Sequence, residues 1–292
     1  MRDGTLRSNS FSCMLAKMQS YFKRQIAFPQ DHGSWVFIFS PLMVGLFEGK
    51  TFQAATIYLI TAALSAFLIR QPITILVKAI SGRRSAADLP AARFWLLVYG
   101  IIAAAALIGL ILSGYSYLIY LAVPGAPVFA WHLWLVSKRA ERKQLGVEVL
   151  ATGVLALVAP AAFWVGIGKY DLHGWWLWLF TWLQSAASIV YAYLRLSQRD
   201  MSKEQAQATS RAAWWKMGIR ALLYTSFNVL LSAGLGISAL VPLLIFVPFL
   251  VQWLETLWGI THPSVGWKPI QIGMRQLAVS VLWTVLFIVF WR

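Results

Sequence analysis

A single cysteine, Cys13, and only ten acidic residues stand in a chain of 292. One cysteine excludes a disulfide framework and a cysteine-based metal site. Charged residues make up 12% of the chain, about half the share usual in a soluble globular domain. Apolar residues reach 59%. A soluble fold of this size must cover a large exterior with polar groups, and this sequence has too few of them. The same composition excludes a disordered chain. Also missing are a GxxxxGK[ST] phosphate loop and an HExxH zinc motif. The four histidines, His32, His132, His173 and His262, are scattered and give no support to a bis-histidine haem. No regular string of intramembrane carboxylates points to a proton pump. No matching Gly/Pro-interrupted halves point to an inverted-repeat transporter.

What is present is a series of long apolar runs. A helix crosses a bilayer with about 20 mainly apolar residues. By that measure, spans fall near 34–47, 52–69, 94–112, 115–136, 145–167, 175–194, 221–237, 239–257 and 274–291, the first of them short. The fold class is therefore all-α, a polytopic transmembrane helix bundle of about nine spans. Residues 1–27 read as a basic cytoplasmic tail with an interfacial amphipathic helix, and 28–292 as the transmembrane helical domain. The formal charge of +15 first suggests a nucleic-acid partner, but its distribution decides against one. Of the 25 basic residues, 22 fall on the tail and on alternate loops, leaving Lys50, Lys169 and Arg292 on the other face. Cytoplasmic loops carry the excess of Lys and Arg. The partition predicts an inner-membrane, multi-pass protein with its N-terminus in the cytoplasm. Trp131, Trp134, Trp175, Trp176, Trp214, Trp215, Trp258 and Trp267 gather near span ends, where aromatic belts account for most of them.

An ionisable residue inside a span is costly, so it marks a candidate site. Asp31 and His32 open the first span, either as an N-cap with Pro29 and Gly33 shaping the entry, or as an acid/base or ligand pair. Arg70 ends the second span, and Pro72 predicts a break there followed by an interfacial half-helix. Glu141, Gln144 and Glu148 share a helix face, and Arg142 belongs to the same loop. Gln184, Ser185 and Ser188 read as interhelical hydrogen-bonding positions. Arg195 follows Tyr191 and Tyr193 at the end of the sixth span, and Gln252, Glu255, His262, Lys268 and Arg275 complete a ring of charges near one face. The candidate ligand-binding set is Asp31, His32, Arg70, Glu141, Arg142, Glu148, Arg195 and Arg275, converging on one cytoplasmic-side cavity. Arginines beneath an apolar bundle suit an amphiphile with an anionic head and a greasy tail.

Three stretches resemble the YwiC-like family of bacterial membrane proteins. Pro29-Gln30-Asp31-His32-Gly33-Ser34-Trp35 followed by Pro41 resembles that family's Pro-x-Glu-His-Gly-Ala-Trp opening. Arg139 to Ala162, with Glu141-Arg142, Gly146-Val147-Glu148 and Ala159-Pro160-Ala161-Ala162, resembles its central segment. Lys268 to Leu277 resembles its C-terminal signature. Asp31 and Gln276 stand where the family has Glu. The number of spans and the basic alternate loops also resemble UbiA-type intramembrane prenyltransferases, whose Asp-rich motifs hold magnesium and a prenyl diphosphate. Here Arg70 and Arg195 occupy the corresponding places. An arginine can bind phosphate but cannot hold magnesium. The resemblance therefore implies an isoprenoid or quinone-like amphiphile bound without metal or other cofactor, and gives no support to magnesium-dependent prenyl transfer. The expected partners are membrane lipids and such an amphiphile. A larger membrane complex, with this chain as accessory subunit, and a small-solute or lipid transporter remain the alternatives.

Overall fold

Apolar runs of this length leave the backbone one economical solution in lipid, the helix, which satisfies its own N–H and C=O groups. The computed structural model describes residues 22, 24–29, 32–138 and 144–291, with the backbone alone at Arg24 and His32. Among these residues the regular structure is entirely helical. A 3-10 turn, His32–Trp35, leads into α1, Val36–Gly49. There follow α2, Ala54–Ile80; α3, Leu89–Leu112; and α4, Gly125–Ser137. Next come α5, Leu145–Ala156; α6, Val158–Ile167; and α7, His173–Arg199. A short α8, Lys203–Ala208, precedes α9, Arg211–Ile237; α10, Val247–Thr261; and α11, Pro269–Phe290. Among the described residues, eight helical stretches are long and apolar enough to span a membrane, and the shorter Gly33–Gly49 makes a ninth apolar segment. These are the nine segments read from the sequence. The chain is a multi-pass membrane protein.

Two details differ from expectation. Helix α2 runs unbroken through Pro72 to Ile80. Proline removes one N–H from the ladder, the one that would serve the Leu68 carbonyl, and the helix continues past it. Residues 145–167, in turn, are two helices rather than one. The interruption at Leu157 lies three residues before Pro160, whose missing N–H leaves the Ala156 carbonyl without its i+4 donor.

The chain divides into two units. One comprises Met1–Asp31, Ile57–Ser116 and Phe129–Arg142, the other His32–Thr56, Tyr117–Val128 and Lys143–Arg292. In the first, the turn Arg24–Ala27 is anchored inside the protein. Ile26 is fully buried with Ile75, Ala91 and Ala92, and the Tyr99 hydroxyl donates to the Ala27 carbonyl at 3.0 Å. Most of the amphipathic helix expected in the tail lies outside the described residues.

In the second unit, α1 and α6 meet backbone to backbone. A Cβ placed on Gly45 would lie 2.2 Å from the Ala159 carbonyl oxygen, and one on Gly166 would lie 2.5 Å from the Gly49 Cα. Gly45 and Gly49, four residues apart, are the small-residue spacing that lets spanning helices approach this closely. The Thr51 hydroxyl then bonds the Gly166 carbonyl across the same pair. Around α7, an apolar cluster including Val44, Leu177, Phe180, Phe249, Trp283 and Phe287 fills the half nearer His173. The other half is polar.

Candidate functional site

Helix α7 presents Gln184, Ser188, Tyr191, Arg195 and Gln198 at steps of four, three, four and three residues, a single helical face. All five are buried. Helix α10 answers with Gln252, Glu255 and Gly259, and α11 with Gln276, Ser280 and Thr284. The result is a polar seam inside the second unit.

At its charged end sits Arg195, 1% exposed. Its Nη1 donates to Gln198 Oε1 at 3.0 Å and to the carbonyls of Gly259 and His262 at 2.8 and 2.7 Å. Its guanidinium carbon lies 5.9, 5.4 and 5.0 Å from the ring centroids of Tyr191, Trp258 and Trp267. Aromatic faces and backbone carbonyls thus take the place of a direct carboxylate partner. The Ser264 hydroxyl donates to the Arg195 carbonyl at 2.6 Å, and Gln198 Nε2 donates to the Gly259 carbonyl at 3.0 Å, fixing the helix ends around the cation.

Glu255 is the carboxylate of the site. Its Oε1 accepts from Tyr191 Oη at 2.6 Å and from Arg275 Nε at 2.6 Å, while Oε2 accepts from Arg275 Nη2 at 2.8 Å. This fork fits the planar guanidinium. Arg275 in turn lies 3.5 Å from the Trp258 ring centroid, and Trp258 stacks on His262 at 4.9 Å. A glycine is required beside this cluster, because a Cβ on Gly259 would fall 2.6 Å from the Tyr191 hydroxyl. The arithmetic of charge is uneven. Two guanidiniums share one carboxylate, and Arg195 Nη2 is buried with no hydrogen-bond partner among the described residues.

Beyond Glu255 the seam turns to amides. Gln184 and Gln276 both donate to Gln252 Oε1, at 3.3 and 2.6 Å, and Gln276 also donates to Ser188 Oγ at 2.7 Å. Ser280 and the Ser40–Thr284 pair, 2.6 Å apart, end it against the apolar cluster. Gln276, which stands where the family resemblance implies a Glu, is here a neutral hydrogen-bonding group.

The eight residues proposed from the sequence divide accordingly. Arg195 and Arg275 are brought together on Trp258. Glu148 is exposed on α5 and accepts from Tyr193 Oη at 2.8 Å, two residues from Arg195 along α7. Arg70 belongs to the other unit, its guanidinium 5.5 Å from the Phe67 ring centroid. Asp31, Glu141 and Arg142 lie outside the described residues, as does the His32 side chain. Glu255 was visible as an ion near the inner end of its span. Trp258 and Trp267, read from the sequence as belt residues, are also cation–π partners of Arg195, and Gln198 and Ser264 carried no local signal.

The opposite end of this unit has two surface pockets. One, of about 490 Å³, is lined by His173, Val241, Pro242 and Trp291 among others; the second, of about 560 Å³, is lined by Glu48, Lys50, Phe163, His173 and Trp291. Of the eight residues, the four with described side chains, Arg70, Glu148, Arg195 and Arg275, line neither. Beside them Asp171, outside the spans, is held below the ordinary aspartate range by the amide N–H and ring of His173.

In comparison with known proteins, residues 28–163 fit the family model described as YwiC-like protein. The stretch takes in the opening motif and the central segment and stops short of Lys268–Leu277. No curated protein and no solved structure matches the chain, so the looser likeness to UbiA-type enzymes gains no support.

Proposed function

Starting from a multi-pass membrane protein whose residues 28–163 are YwiC-like, we propose that it binds the anionic head of a membrane amphiphile at the Arg195–Arg275 cluster. The carrying observation is the uncompensated cation. Glu255 is fully engaged by Arg275 and Tyr191, and Arg195 keeps a buried Nη2 with no partner. A net positive charge in a low-dielectric interior is costly, and an arriving phosphate or carboxylate relieves it. The Arg275 side chain is 36% exposed, so the cluster is open to a headgroup on that side. Trp258 and Trp267 pack beside the Arg195 guanidinium, amphipathic rings suited to the depth of lipid headgroups. The positive-inside reading puts this end at the cytoplasmic face of the inner membrane, within reach of an isoprenoid, quinone-like or phospholipid head.

Direct coordination by arginine makes the binding independent of divalent ions. The test is native mass spectrometry of the full chain in nanodiscs containing phosphatidylglycerol and phosphatidylcholine, with and without chelator. The wild type should retain phosphatidylglycerol preferentially and equally in chelator. Arg275→Ala should lower that retention about tenfold or more, since one charge-assisted hydrogen bond is worth roughly 1.5–3 kcal/mol. Equal retention of both lipids by the wild type overturns the reading. So does magnesium-dependent prenyl transfer by the purified protein.

A further inference from the structure

The amide end of the seam is separate chemistry. Gln184, Gln252 and Gln276 are 3%, 1% and 8% exposed. Their mutual bonds use one end of each amide. The other ends, Oε1 of Gln184, Nε2 of Gln252 and Oε1 of Gln276, have no hydrogen-bond partner among the described residues, and neither does Asn228 Oδ1. Asn228 Nδ2 donates to the carbonyl of Leu183, the residue before Gln184. Turning all three glutamine amides over exchanges donors for acceptors and keeps every contact between them. In either polarity, three amide atoms remain unmatched.

A buried amide group without a partner costs roughly 1–3 kcal/mol, and natural interiors carry only a few such atoms per 100 residues. Three on one contacting triad call for an occupant. Its chemistry follows from the lining. Among the described residues no carboxylate, base or cation is hydrogen-bonded to the triad, and the nearest acid along α10, Glu255, has both oxygens engaged elsewhere. Both donor and acceptor atoms are left over, so a bare cation or an anion would satisfy one kind and repel the other.

We propose that the Gln184–Gln252–Gln276 triad is a binding site for an uncharged group that both donates and accepts hydrogen bonds. Water molecules and the hydroxyl or carbonyl head of a neutral ligand share that chemistry. A single water accommodates two to four polar partners, which matches the number of unmatched atoms. The inference does not depend on an anion at Arg195.

The experiment is a structure of the full chain in lipid nanodiscs at a resolution that shows ordered water, for the wild type and for Gln252→Met, with mass spectrometry of the extracted small molecules. In the wild type, density should lie within about 3.2 Å of at least two of the three unmatched amide atoms. It should vanish in Gln252→Met while the Arg195–Glu255–Arg275 contacts persist. Isolated peaks with no organic mass identify water, and extended density with a matching mass identifies a ligand; either supports the site. Wild-type amides with no density between them overturn it, as does density that survives the loss of Gln252. Gln184→Met serves as the second variant if Gln252→Met does not fold.

Discussion

Glu255 is the residue on which the charged end of the seam balances. It takes both prongs of Arg275 and the hydroxyl of Tyr191, and its charge is the nearest compensation for Arg195. Glu255→Gln should therefore lower stability by on the order of 3 kcal/mol, the low end for breaking a buried ion pair, because Arg275 is partly open to solvent. Unfolding in mild detergent measures this. Adding Arg275→Met should recover part of the loss, since it removes the cation that Glu255→Gln leaves without its carboxylate. A double-variant loss equal to the sum of the Glu255→Gln and Arg275→Met losses would show the pair to be uncoupled. At this scale the sequence was partly legible. Arg195, Glu255 and Arg275 stood out because an ion in an apolar run is expensive. Trp258 and Trp267 did not, since an aromatic residue near a span end suits a membrane interface as well as a guanidinium face. The choice rests on packing between residues some 60 positions apart.

Among the elements, the α1–α6 contact is the tightest described. Gly45→Val should force the two helices apart, since even the first carbon of the new side chain would meet the Ala159 carbonyl. Overpacking of this kind costs typically 1–3 kcal/mol, and more where the obstacle is backbone. The melting temperature in detergent checks it, with Gly33→Val, which has nothing within 4 Å of its Cβ, as the comparison. A glycine pair four apart was present in the sequence, but Gly-x-x-x-Gly gains meaning only when the facing helix also supplies small residues, as Ala159, Ala162 and Gly166 do. Span number was readable because length and hydropathy suffice for it. Span ends were less so. Helices α7 and α9 run on through Arg, Lys and Gln residues that favour helix but not lipid, so the hydropathy boundary and the helix boundary differ there. Pro72 misled in the opposite sense, because a spanning helix can carry a proline through at the cost of one ladder bond, here the one to the Leu68 carbonyl.

For the whole molecule, the alternation of basic loops makes a claim about sidedness. Helix α7 has 27 residues, about 40 Å at 1.5 Å per residue, enough to cross the roughly 30 Å hydrocarbon core. Cysteines placed singly at Lys169 and Arg199, with Cys13 replaced by Ser, should label from opposite sides of intact cells, Arg199 from within. Labelling of both from one side removes the nine-span topology. The division of α7 into an apolar half by Phe180 and a polar half by Arg195 has an electrical consequence. A transmembrane voltage falls mainly where matter is least polarisable, here across the Phe180–Phe249–Trp283–Phe287 layer. A unit charge moved through the full voltage exchanges about 2.3 kcal/mol per 100 mV. An anion that enters from the polar side and stops at Arg195 has crossed almost none of that layer. Its occupancy should follow headgroup concentration and ignore the energised state of the cell.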